Sequence, residues 1–169
     1  MRPRPYGGRM TGYPIPNNPS RRPPYFFGMP LLLLAGLALL GMPRAVLHDL
    51  HLIGERSPAT WFLALAPVAI WIAVTMLVRS PRPFLTVLVI GLMFGVLLVL
   101  THQLLWDAAF SGNVPAVGSG PAAELIPRLA AIPGGLMTGA AIGAIGGLLA
   151  MAGTALLGQR SISARTLRR

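Results

Sequence analysis

Few side chains in this sequence can coordinate a metal or move a proton. There are three histidines (His48, His51, His102), four acids (Asp49, Glu55, Asp107, Glu124) and no cysteine. His48 and His51 are three residues apart, which on a helix sets two imidazoles side by side and supplies half of a tetrahedral zinc site. His102 and Asp107 follow a later apolar run that ends on the same membrane face. The four together, His48, His51, His102 and Asp107, form a candidate metal site at the outer surface. Two features oppose it. Arg44 stands one turn from His48, and Asp49 points about 100° away from the histidine pair around a helix. The competing reading makes the two histidines the wet face of an interfacial helix. His102, in Thr101-His102-Gln103, reads as a head-group or helix-end contact more than as a proton relay.

Other chemistries are excluded or unsigned. Without cysteine there is no thiol catalysis, thioether-bound haem or cysteine-ligated iron–sulfur cluster. No phosphate loop, nucleophile elbow, H-E-x-x-H or dinucleotide glycine pattern is present. The expectation is a non-enzymatic protein without a cofactor.

The elements that would position these residues are hydrophobic and long. Of 169 residues, 54% are hydrophobic and 11% charged, against about 25% charged in an ordinary soluble domain. Runs of 21, 22, 24 and 31 residues carry no Asp, Glu, Lys or Arg, between Arg22 and Arg44, Arg56 and Arg79, Arg82 and Asp107, and Arg128 and Arg160. A bilayer core about 30 Å thick needs about 20 helical residues. The sequence therefore predicts an all-α integral membrane protein with four transmembrane helices, near 25–43, 58–78, 84–105 and 134–157, making a bundle over 25–158. The first run lacks a following A-x-A-like cleavage site and is expected to be a permanent anchor. Pro43 and the apolar face of Val46, Leu47, Leu50 and Ile53 predict a short amphipathic helix lying on the outer surface after the first span. Pro127 is expected to interrupt any helix over 121–132, and Pro133 to open the fourth span.

Small residues dominate two of the spans. Gly91 and Gly95 form a G-x-x-x-G pair in the third. Gly135, Gly139, Gly143 and Gly147 recur every four residues in the fourth, leaving one face almost without side chains. Such a face is a groove for another helix, in the same chain or in a second one. Pro67 interrupts the second span and is a candidate hinge or static bend.

Charge gives the orientation. All 14 basic residues are arginine, and the formal net charge is +10. On a four-span topology, Arg2, Arg4, Arg9, Arg21, Arg22, Arg79, Arg82, Arg160, Arg165, Arg168 and Arg169 fall on one side. Only Arg44, Arg56, Arg128 and the four acids fall on the other. Arginine-rich flanks stay cytoplasmic, so both termini are expected in the cytoplasm. The excess charge is then a topology signal and requires no nucleic acid. Tyr25, Phe26 and Phe27 at one face, and Trp61 and Trp106 at the other, fit interfacial aromatic belts. Trp71 reads as a packing residue.

The first 24 residues, rich in Pro and Arg, cannot build a core and are expected to be a disordered tail. Residues 159–169 form a second basic tail. Arg2, Arg4, Arg9, Arg21 and Arg22 are candidate contacts for anionic lipid head groups or a partner. Arginine without lysine, amid abundant Ala, Gly, Leu and Pro, suggests a GC-rich genome and a bacterial plasma membrane.

The function expected from these features is that of an accessory or scaffold subunit associating through the glycine-rich fourth helix, with a membrane-protein partner or as a homo-oligomer. A small channel or carrier using Pro67 and the glycine-lined helix is the first alternative. The outer histidine metal site is the second.

Overall fold

The computed structural model describes residues 25–54, 56–120 and 122–166, with side chains described as far as 158. The described chain is helical, with no strand among these residues: α1 (Leu31–Leu39), α2 (Met42–Asp49), α3 (Pro58–Leu77), α4 (Pro83–Leu104), α5 (Trp106–Ala109) and α6 (Leu125–Thr166). Four stretches are long and apolar enough to cross a membrane: Leu31–Asp49, Pro58–Leu77, Pro83–Leu104 and Leu125–Gly158.

The first stretch differs from the sequence expectation. Leu40 and Gly41, between α1 and α2, both keep right-handed helical dihedrals. Their N–H groups donate three residues back, to Leu37 and Ala38 (3.1 Å each). The chain thus tightens into one 3₁₀-like turn and continues; it does not fold over at residue 43. Pro43 explains the tightening, because it has no N–H to donate and its ring crowds the carbonyl four residues back. Arg44, His48 and Asp49 consequently belong to the first apolar stretch, where the sequence reading placed no charge.

Gly41 fits under the Phe94 ring, where a Cβ would lie 2.7 Å from Cε2. Phe94 is midway along α4, so the tightened turn is at mid-depth. Trp71, 1% exposed, donates its indole N–H to the Leu37 carbonyl at 2.6 Å in the same layer, and its ring is 5.8 Å from that of Phe94. This carbonyl therefore accepts twice, from the Leu40 N–H and from the indole, while its usual donor, the Gly41 N–H, has moved to Ala38.

α3 starts cleanly. Ser57 caps it, accepting from the Thr60 N–H at 3.2 Å, with Pro58 in the first helical position. Pro67 is buried within an unbroken α3. It borders a cavity of about 40 Å³ shared with Gly41, Arg44, Leu63 and Trp71.

α6 corrects the expected ends of the fourth span. It is one helix of 42 residues with Pro133 inside, about 63 Å long at 1.5 Å per residue. Pro127 is its third residue, where a missing N–H costs no helical bond. Its main neighbour is α4. The two run antiparallel in close register: Gly147 meets Phe84, Gly143 meets Leu88 and Gly91, Gly139 meets Gly91 and Gly95, and Gly135 meets Val99. A Cβ on Gly91 would be 2.5 Å from both the Gly139 carbonyl and the Gly143 Cα. The glycine ladder is therefore filled by α4 of the same chain.

The end of the bundle at the α3–α4 turn is tied by hydroxyls. Ser80 donates to the Phe27 carbonyl at 2.9 Å and shares a 2.8 Å hydrogen bond with Thr86. The Arg82 guanidinium stands 3.7 Å over the Phe26 ring.

Candidate functional site

Polar side chains gather at the opposite end of the bundle, where α2, α4 and α6 approach. The centre is Asp49, the last residue of α2, with a side chain 9% exposed. The His102 Nδ1 of α4 is 3.3 Å from Asp49 Oδ2, and the His48 Nδ1 is 3.5 Å from Oδ1. A carboxylate only accepts, so Nδ1 is the donor in each contact. His102 also has the Trp106 ring edge-on at 5.2 Å and the Phe110 ring at 6.0 Å.

One position beyond His102, Gln103 is locked to α6. The Arg128 Nε donates to Gln103 Oε1 at 2.9 Å, and another guanidinium nitrogen donates to the Gln103 carbonyl at 2.7 Å. The Gln103 amide donates back to the Arg128 carbonyl at 2.9 Å. Arg128 also faces the Trp106 ring at 5.8 Å. Arg128 thus ties α6 to Gln103 of α4.

Between α2 and α6, floored by α4, is an open-sided groove of about 300 Å³. Its polar end is lined by His48, Asp49, His102 and Gln103. Its deeper part is lined by Leu98, Val99, Gly134, Gly135 and Thr138. The Thr138 hydroxyl is committed to the Gly134 carbonyl at 2.9 Å.

The four histidine-site residues do not assemble as a metal centre. His51 turns its Nε2 to the Ala109 carbonyl at 3.0 Å, and Asp107 is exposed on α5. Among the described residues no three of His, Asp or Glu converge on a common ion position. His48 and His102 do share a neighbour, and it is Asp49. Sequence reasoning set Asp49 aside because it points away from the His48/His51 face; its partner comes from another helix, 53 residues on. Its position beside an apolar run was the available signal, since ionisable residues at membrane depth mark sites.

Two other expectations shift. Trp106 is 3% exposed, packed under the cluster and not in a lipid-facing belt; Trp61, at 64% exposed, faces outward. Arg2, Arg4, Arg9, Arg21 and Arg22 lie outside the described residues. No protein-family model, no curated protein and no solved structure matches this chain.

Proposed function

We propose that this chain is a non-enzymatic accessory or scaffold subunit of a bacterial plasma membrane, with both termini in the cytoplasm and the Asp49 cluster at the outer face. Orientation rests on charge: the α3–α4 turn and the end of α6, with Arg79, Arg82, Arg160 and Arg165, share one end of the bundle. The five N-terminal arginines would then meet the anionic inner leaflet, each contributing about 1 kcal/mol near the surface.

The observation that carries the subunit reading is the glycine contact between α4 and α6. It lets the two backbones touch, and it makes a stiff hairpin whose outward faces hold large apolar side chains such as Met137, Ile145, Leu148 and Leu149. Association with a second copy or another membrane protein then uses these outward faces, since the glycine face is occupied. A photoreactive residue at Leu149, placed in the full-length protein in native membranes, tests this. A crosslink to a polypeptide, the same chain or another, is expected. Adducts with lipid alone would overturn the subunit reading.

A second reading, a small channel or carrier, is favoured by the groove and by Arg44 and Asp49 within the first apolar stretch. Solute flux into proteoliposomes would support it, and impermeability to a broad panel of ions and small solutes would remove it.

A further inference from the structure

We propose that the groove between α2 and α6 is a binding site for a phospholipid whose head group ends in a primary ammonium. Three features of the groove converge on that chemistry, and none depends on the subunit reading.

The first is the acceptor set. Gln103 and Thr138 are engaged with Arg128 and with the Gly134 carbonyl. What Asp49 retains is accepting capacity, the further lone pairs of its carboxylate beyond the two imidazole contacts. A primary ammonium brings three donors and a positive charge to that wall. Carboxylates at membrane depth are costly unless paired. Arg44 lines the other cavity, not this groove.

The second is the placement of charge. Arg128 does not line the groove itself but is held on Gln103, which does. A negative group in the groove and a positive one behind Gln103 thus share one end of the bundle, the polarity of the ammonium and phosphodiester of a zwitterionic head group. A simple soluble amine has no use for the arginine.

The third is the gradient along the groove. Its deeper wall is apolar, formed by Leu98, Val99 and the glycines, and its side is open. An acyl chain can leave along it into the bilayer. Gly134 keeps that wall bare: a Cβ there would meet nothing within 4 Å. Unlike Gly135 and Gly139, Gly134 is not needed for contact with α4, so its missing side chain leaves only the groove open.

Native mass spectrometry of the full-length protein, titrated with phosphatidylethanolamine and with phosphatidylcholine, tests the assignment. The two lipids share charge and acyl chains, but the trimethylated head group has no N–H. Ethanolamine-lipid retention about tenfold above choline-lipid retention is expected, falling to the choline level in Gly134→Leu and in the isosteric Asp49→Asn. Equal retention of the two lipids by the unmodified protein would overturn the proposal, as would undiminished selectivity in Gly134→Leu. Free ethanolamine is the third arm. If it displaces the lipid at equal head-group concentration, the occupant is a soluble amine and the lipid assignment fails.

Discussion

Trp71 reaches from the middle of α3 to the carbonyl of Leu37 in α1, 2.6 Å from indole nitrogen to oxygen. The contact is at the one turn where α1 tightens, and it gives that carbonyl a second donor beside the Leu40 N–H. A hydrogen bond of this kind contributes about 0.5–1.5 kcal/mol net. Trp71→Phe keeps an aromatic ring against Phe94 and removes only the donor. Its thermal midpoint in detergent, followed by circular dichroism, is expected to fall by about 2–4 °C per kcal/mol lost. An unchanged midpoint would mean that the hydrogen bond adds nothing to the packing.

Glycine to alanine should have opposite signs at two helical positions. At Gly91 the new methyl would meet the backbone of Gly139 and Gly143 at 2.5 Å, and backbone cannot rotate away. A loss of about 1–3 kcal/mol is expected from overpacking. At Gly36, on α1, nothing lies within 4 Å, and alanine's higher helix propensity should add up to about 1 kcal/mol. Paired melting curves of the two variants check this; equal shifts would deny the α4–α6 register.

Arg128 and Gln103 should behave as a unit. Lysine cannot reproduce the two-point contact with the Gln103 side chain and carbonyl, so Arg128→Lys is expected to lose most of what Arg128→Ala loses. A double-mutant cycle of Arg128→Ala with Gln103→Ala is expected to give a coupling of about 0.5–3 kcal/mol. Additive losses would show that the pair is incidental.

Sidedness can be read chemically, because the native chain has no cysteine. With the proposed orientation, Asn113→Cys in the exposed loop before α6 reacts with an impermeant maleimide on intact cells. Ser163→Cys reacts only after permeabilisation. The reverse pattern would invert the topology and place the Asp49 groove on the cytoplasmic side.

The sequence by itself determined that four helices are long and apolar enough to cross a membrane. Hydrophobic length is a property of consecutive residues, and charge-free runs of 21 to 31 residues carry it without reference to neighbours. It also exposed the glycine face of α6, because a repeat of four returns to nearly the same side of a helix. The partner of that face was not in the repeat: α4 and a second chain offer similar small residues, and only tertiary packing put Gly91 and Gly95 there. The continuity of α1 into α2 was hidden as well. Proline and glycine at 41–43 signal a break locally, but whether the chain turns or merely tightens depends on what Trp71 and Phe94 hold in place. Most of all, the site depended on the fold. His48 and His51 are neighbours on a helix and drew attention, yet His51 turns to Ala109 while His102, from another helix, turns to Asp49. Local spacing governs which side chains share a face; burial of the Asp49 carboxylate selects its partners from whichever helix packs beside it, and that choice is made in three dimensions.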